Sequence, residues 1–364
     1  MSYTILSVAY PLTNVGPDAS GGSEQIISLM DRHLTRAGCR SLVIAVQGSK
    51  VEGELIEDPR CSGLLNDEVR RWGQRAHQRL ILETLNRYSV DLVHMHSLDF
   101  HAYLPASSIP TLATLHLPVD WYPQEVFSRR RKNFHLNCVS KSQEDTCPAS
   151  KSLLPHVRNG IDVSSFKPNA AKQGFVLALG RICPEKGFHL ALDAARMAGV
   201  PLVLAGELFP YQHHLSYFEK EIVPRLDSER RYIGPVGAIQ KRELLAVADA
   251  VLVPSLVAET SSLVTMEALA SATPVVANRV GAIPELIEDG KNGFLVSTIE
   301  EMAQAIGRLG TINPQDCRQS AADRCDAFRM GQQYLGMYET MLSGAKVEST
   351  SPAYTKLSWL ADVT

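Results

Sequence analysis

Short apolar runs alternate with amphipathic stretches along almost the whole chain. The run at 4–9 reads as a strand buried on both faces. A turn-rich stretch at 11–20 leads into Gly21-Gly22-Ser23-Glu24, where a helix should begin. Its apolar positions Ile26, Ile27, Leu29, Met30 and Leu34 fall at helical spacing, and Gly38 stops it before a strand at 42–46. That is one β-α-β unit. Further strands are expected at 91–96, 111–116 and 136–139 with helical stretches between, the alternation of a parallel α/β sheet. From Asn159 through Asn169 the chain becomes polar and turn-prone. A very apolar strand at 175–180 then opens a second series, continued at 201–205, 232–233, 250–254, 274–277 and 293–296.

The pattern predicts an α/β protein of two Rossmann-like, doubly wound domains, 1–168 and 169–325. At 364 residues the chain is too long for one ordinary core and comfortable for two. Apolar residues make up 45% and charged ones 21%, which excludes a disordered chain. A formal net charge of -3 argues against a nucleic-acid partner, because backbone binding needs an excess of Lys and Arg. The 7 cysteines are scattered without C-x-x-C pairs or zinc-like spacing to His, so free thiols in a reducing cytosol are expected. No signal peptide or bilayer-spanning run is seen, and a cytoplasmic protein is expected. Arg70, Arg71, Trp72, Arg75, Arg79 and Leu80 on a helical stretch, with the basic run 129–132, raise a peripheral contact at the inner face of the membrane as a secondary expectation.

Three stretches carry candidate chemistry. Glu259 and Glu267 sit eight positions apart after the strand ending in Val253-Pro254, with hydroxyl residues between them. A helix starting near Ser261 or Ser262 would aim free backbone N–H groups at the carboxyl end of the sheet, a place for a diphosphate. Glu259 would lie in the loop facing a sugar, and Glu267 would accept from ribose hydroxyls. Taken singly, two glutamates are surface charges. Glu267, however, stands among Leu263, Met266, Leu269 and Ala270, where an unsatisfied carboxylate is costly. The second stretch, Gly180-Arg181-Ile182-Cys183-Pro184-Glu185-Lys186-Gly187, puts two cations at one strand end, able to stabilise a leaving diphosphate in place of a metal. The third is Gly21-Gly22-Ser23, where backbone can approach a ligand closely. His116 closes its strand and could face the cleft. No D-x-D, P-loop, G-x-S-x-G or G-x-G-x-x-G is present at the needed place, and no metal ligands are assigned.

Together these residues resemble the family-4 retaining glycosyltransferases of the GT-B fold. The likeness runs through Gly-Gly-Ser-Glu, the strand at 91–96, the linker Asn159-Gly160-Ile161-Asp162, loop 180–187, the segment 259–277, Gly281-Ala282-Ile283-Pro284-Glu285-Leu286-Ile287 and Gly290-Lys291-Asn292-Gly293. It implies two domains around a deep cleft: an acceptor side (1–168), a donor side (169–325), a helix at about 326–343 crossing back, and a tail at 344–364. It implies transfer with retention by same-face attack from a nucleotide-diphosphate sugar, UDP- or GDP-linked, with no other cofactor and no metal. The acceptor, whether glycan, lipid-linked or small molecule, and the oligomeric state stay open. Arg181 and Lys186 would hold the diphosphate, Glu259 the sugar, Glu267 the ribose, and backbone at Gly21 and Gly22 the distal phosphate. His116 would lie near the transferred sugar. Ser261, Ser262, Leu263 and Val236 complete the expected donor site. Where the family carries an aromatic residue and a glycine after the first Glu, Thr260, Ser261 and Ser262 stand here, and Ala272 replaces a frequent glycine. An epimerase of the same fold, or a nucleotide-sugar binding protein without transfer, are the alternative readings.

Overall fold

The computed structural model describes residues 3–19, 21–59, 66–106, 108–128, 131–168 and 171–344. The tail beyond Gly344, Arg129 and Arg130 of the basic run, and Cys61 lie outside these. The first sheet holds β1 (Thr4–Val8), β2 (Arg40–Val46), β3 (Glu54–Asp58), β4 (Leu92–Met95), β5 (Thr111–Leu115) and β6 (Phe134–Cys138). The second holds β7 (Val176–Leu179), β8 (Leu202–Ala205), β9 (Arg230–Tyr232), β10 (Ala250–Val253), β11 (Val275–Asn278) and β12 (Gly293–Val296). Among the connecting helices of the first half are α1 (Gly22–Arg36), α2 (Asp67–Arg87), α3 (Glu125–Ser128) and α4 (Lys141–Thr146). The second half carries α5 (Phe188–Ala198), α6 (Gln212–Tyr217), α7 (Ala238–Val247), α8 (Leu263–Ala270), α9 (Ile283–Leu286), α10 (Ile299–Gly307), α11 (Pro314–Arg324) and α12 (Ala327–Ser343).

All neighbouring strands run parallel, in the orders β3-β2-β1-β4-β5-β6 and β12-β11-β10-β7-β8-β9. Both are the doubly wound order, reversing between β1 and β4 in one sheet and between β7 and β10 in the other. Helices cover both faces, so strands such as Val176–Leu179 and Ala250–Val253 are apolar at every position and fully buried. β3 escapes that pattern. It is an edge strand, Glu-Leu-Ile-Glu-Asp, with only Asp58 buried, and its periodicity does not announce it. Among the described residues no helix is long and apolar enough to cross a membrane.

The last helix returns to the first sheet. Met330, Tyr334, Met337 and Tyr338 of α12 pack with Ile26, Met30 and Leu34 of α1. Burying each such side chain stabilises by roughly 1.5–3 kcal/mol. The linker is stitched to the start of this helix: Ile161 N–H donates to Cys325 O (2.7 Å), and Ala327 N–H donates to Ile161 O (2.9 Å). Gly160 permits the approach, since a Cβ there would lie 2.7 Å from Ala327 backbone.

A column of histidines runs from α12 towards the ends of β4 and β5. Tyr338 OH meets His94 Nδ1 at 2.6 Å, and His94 Nε2 meets Thr114 Oγ1 at 2.6 Å. The His94 and His96 ring centroids are 3.8 Å apart, and His96 Nδ1 meets His116 Nε2 at 3.0 Å. Burial depresses all three: His94 and His96 are held well below the ordinary imidazole range, with neighbouring histidine charge adding to the effect, and His116 falls to about 4. The column is therefore neutral near neutrality.

Two outcomes follow for stability. Gly160→Ala should destabilise by about 1–3 kcal/mol, because backbone on both sides must move. Ala272→Gly should do the reverse by roughly 1 kcal/mol, since Ala272 sits at φ 54°, in the left-handed region. Denaturant midpoints measure both, and a change of opposite sign in either contradicts the packing described. The histidines set an acid limit. The unfolded chain binds more protons than the native one between about pH 6.5 and about 4, so this stability is fully present above that window and drains as pH falls through it. His116→Asn should flatten the fall of melting temperature across the window; a slope parallel to the parent would count against it.

Candidate functional site

The two reversals of strand order place four loops at facing sheet ends: those after β1 and β4 in the first sheet, and those after β7 and β10 in the second. The three stretches that carry candidate chemistry lie on or beside them. After β10, Glu259 is buried at 9% exposure. Its Oε1 accepts from Lys186 Nζ at 2.6 Å and from Ser255 Oγ at 2.5 Å. The loops after β7 and β10 are also joined by Leu256 N–H donating to Glu185 O (2.8 Å). A Cβ on Gly187, which has φ 62°, would lie 2.3 Å from Pro254 O. Loop 180–187 and Glu259 thus form one unit. Arg181 is partly exposed on this loop and makes no ion pair among the described residues.

Glu267, on α8, is paired as well: Lys241 Nζ of α7 meets its Oε1 at 2.5 Å, with the carboxylate side chain 6% exposed. Lys241 carried no sequence signal, because a partner 26 positions away on another helix belongs to no local period. Ser255 and the second glycine contact were missed for the same reason. Gly281 (φ 54°) lies so close that a Cβ would sit 2.2 Å from Glu259 O, and the Ala282 N–H donates to that oxygen at 2.7 Å. That contact holds the Glu259 backbone from behind.

Helix α8 begins at Leu263, within two residues of expectation. Its N-cap Ser262 is extended, and the hydroxyl bonds Thr265 Oγ1 at 2.8 Å, leaving the first-turn N–H groups without a side-chain cap. Ser261 Oγ is buried without a partner among the described residues. An uncapped helix start beside an orphan hydroxyl can take an anion. Gly22 faces it across the cleft: a Cβ there would lie 3.4 Å from Leu263 Cδ1. Gly21 is kept open by Glu24, whose Oε2 would be 1.9 Å from an added Cβ and whose carboxyl accepts from Thr13 (2.8 Å) and Ser23 (3.0 Å). The first turn of α1 therefore already holds one carboxylate.

Further contacts close the cleft. Thr260 Oγ1 donates to His116 O at 2.7 Å, putting His116, at the end of β5, against the Glu259 loop. Ala238 N–H donates to Asp18 at 3.1 Å, and Glu285 accepts from Ser142 N–H at 2.6 Å while pairing with Arg158 at 2.8 Å. Val236 lies apart from the charged residues, partly buried on the loop before α7 and packed on the second core. The helical stretch with Arg70, Arg71, Trp72, Arg75 and Arg79 is α2, which meets the loops after β1 and β4 through His77 Nε2 on Ala9 O (3.0 Å) and Gln74 Nε2 donating to Asp99 (2.7 Å), with Trp72 at 42% exposure. Trp121 is exposed, whereas Tyr122 is buried and donates no side chain to the surface. The described cysteines are free thiols.

Comparison with known proteins agrees with this geometry. Residues 20–149 match the family model described as Glycosyltransferase Family 4, and residues 173–311 the model described as Glycosyl transferases group 1. A phosphatidyl-myo-inositol mannosyltransferase of Mycobacterium tuberculosis is 27% identical over 317 residues, spanning 77% of this chain and 82% of that protein. Among solved structures, a glycosyltransferase involved in avilamycin A biosynthesis superposes with a TM-score of 0.74 at 23% identity, over 95% of this chain and 100% of that one. Anabaena HepE in complex with UDP-glucose also gives 0.74, at 19% identity, over 93% and 99%. The chain belongs to the group 1, family 4 glycosyltransferases, enzymes built on the GT-B fold of two facing doubly wound units.

Proposed function

We propose that this enzyme transfers a sugar with retention from a UDP- or GDP-linked donor, and that no metal takes part in the transfer. The observation that carries the reading is the Lys186–Glu259 pair beside the unpaired Arg181, set at the strand reversal of the second sheet and roofed by His116. The donor side is 169–325 and the acceptor side 1–168, with 326–343 belonging to the latter. HepE, solved with UDP-glucose, supports a nucleotide-sugar donor. The mannosyltransferase relative acts, by its name, on phosphatidyl-myo-inositol; the acceptor here is placed only by location, near 118–127.

In this reading the diphosphate lies on the uncapped start of α8, against Ser261, Ser262 and the Leu263 amide, with Gly21 and Gly22 backbone reaching its distal end. Glu267 accepts from the ribose and Val236 lines the nucleotide side. Lys241 holds Glu267 aimed. As the glycosidic bond breaks, negative charge grows on the leaving diphosphate, and Arg181 and Lys186 stabilise it more than they stabilise the ground state. The acceptor attacks from the face the leaving group departs, within an ion pair, so no protein nucleophile is needed. Glu259 positions the sugar and holds Lys186 until the phosphate competes for it. The neutral His116 presents a ring to the sugar without adding charge.

Arg181→Ala is the cleaner variant, because removing it strands no buried charge. It should lower turnover by about 10²–10³-fold while melting as the parent does. Lys186→Ala should do the same and also lose stability, since the Glu259 carboxylate is left unpaired. Near-parental turnover in both would remove the assignment. Donor chemistry is read by thermal shift with UDP, GDP, ADP and TDP in the presence of chelator. A nucleotide at a hundred times its Kd adds about 2.7 kcal/mol, so one of the four should raise the melting temperature by several degrees. A shift that appears only when a divalent metal is restored would overturn metal independence.

A further inference from the structure

Loop 180–187 presents a second set of groups besides Lys186. Cys183 Sγ, a Glu185 carboxylate oxygen and an imidazole nitrogen of His214 all lie within 4.8 Å of one another. Cys183 is 2% exposed and His214 5% exposed. His214 Nδ1 is buried without a hydrogen-bond partner among the described residues. A buried imidazole nitrogen left unsatisfied is unfavourable, and a bound ligand would recover that cost. Cys183 Sγ donates to the Arg181 carbonyl at 3.6 Å and is also hydrogen-bonded to the Glu185 carboxylate. No local spacing announced the group, because His214 comes from α6, thirty-one positions after Cys183.

We propose that Cys183, Glu185 and His214 form a zinc-class metal site that clamps the turn carrying Lys186 to helix α6. One thiolate, one imidazole and one carboxylate are a mixed sulfur, nitrogen and oxygen set, suited to Zn²⁺ and unlike the all-oxygen shells of Mg²⁺ or Ca²⁺. Three protein ligands leave the fourth position to water. Ligand atoms on a tetrahedral zinc stand about 3.3–3.6 Å apart, so groups within 4.8 Å of one another need to close by at most about 1.5 Å, within the reach of side-chain rotation. On binding, the Cys183 S–H bond breaks, its proton leaves to solvent, and the sulfur lone pair forms the bond to the metal; Glu185 and neutral His214 donate lone pairs without proton loss. The ion is a structural clamp. It stands outside the transfer step, and it rests on this geometry alone, whatever the donor proves to be.

The test uses the full chain, reduced and stripped of metal, titrated with Co²⁺ and then Zn²⁺. One equivalent of Co²⁺ should bind with thiolate-to-cobalt charge-transfer absorption in the near ultraviolet, Zn²⁺ should displace it, and the melting temperature should rise. Cys183→Ser should abolish the band, while Cys39→Ser should leave it. Glu185→Gln and His214→Gln should each weaken binding by more than the roughly 10–100-fold that an outer partner costs. Absence of the band, or its survival in a Cys183→Ser chain that melts like the parent, overturns the site. Should that variant fail to fold, unchanged affinity in both Glu185→Gln and His214→Gln overturns it equally. None of these readouts uses nucleotide or turnover, so they stand or fall separately from the transferase reading.

Discussion

In each sheet the chain leaves its first strand on one side and later returns on the other, and the pair of loops at that reversal has no crossover helix drawn over it. This constraint, set by parallel pairing and right-handed crossovers, creates a crevice at the carboxyl ends of β1 and β4 and another at β7 and β10. Everything chemically distinctive in the protein lies at these two places. Strand interiors, apolar on both faces, cannot carry polar chemistry; loops at a crevice can, held by a rigid sheet below. The site is therefore a consequence of strand order before it is a matter of particular side chains.

What fixes the two crevices opposite each other is the return of the chain. The linker at Gly160 and the start of α12 hydrogen-bond together, and α12 then buries Tyr334 and Tyr338 in the first core. The same helix supplies the hydroxyl that ends the histidine column, and the column's other end, His116, touches the Glu259 loop through Thr260. A contiguous run of polar contacts thus links the outer helix to the cleft. His96 Nε2, within this run, is buried without a partner among the described residues. Such a network is tolerable because its rings stay neutral; charging any one of them would bury an uncompensated cation.

The fold was legible from periodicity because both sheets are covered on both faces and most strands read as apolar runs, although the edge strand β9, Arg230–Tyr232, overlaps its expected span only at Tyr232. The strand the pattern missed, β3, also lies at an edge, where the apolar signal thins to Leu55 and Ile56 between acidic residues. The site was legible wherever a residue type was unusual for its surroundings, as with Glu267 among apolar neighbours or two cations at one strand end. It was illegible wherever the meaning of a residue lay in a tertiary partner. Lys241, Ser255 and His214 are ordinary in sequence, and only the packing of separate helices and loops gives them their roles. Ala272 is a different case. Its departure from glycine was visible, but that it stands at φ 54° is a property of the turn.

The ion pairs deserve weighing as energetics, since each sits where two charges have been taken largely out of water. Lys186–Glu259 and Lys241–Glu267 have side-chain exposures of 26% and 9%, and 15% and 6%. Desolvating such a pair offsets most of its attraction, and an apolar pair of the same shape would often serve stability as well or better. Two pairs of this kind at one crevice are therefore poorly explained as stabilising features. They make sense as charges held ready. In the proposed arrangement Glu259 holds Lys186 in place, and because the pair's net attraction is small, a diphosphate with two or more negative charges can take the lysine at little cost. Lys241 has no such competitor in the proposed arrangement, so its pairing persists and keeps Glu267 an acceptor. In the proposed arrangement the same interaction, placed at two points of one crevice, is thus breakable at the end where charge develops and permanent at the end where the ribose must simply be held.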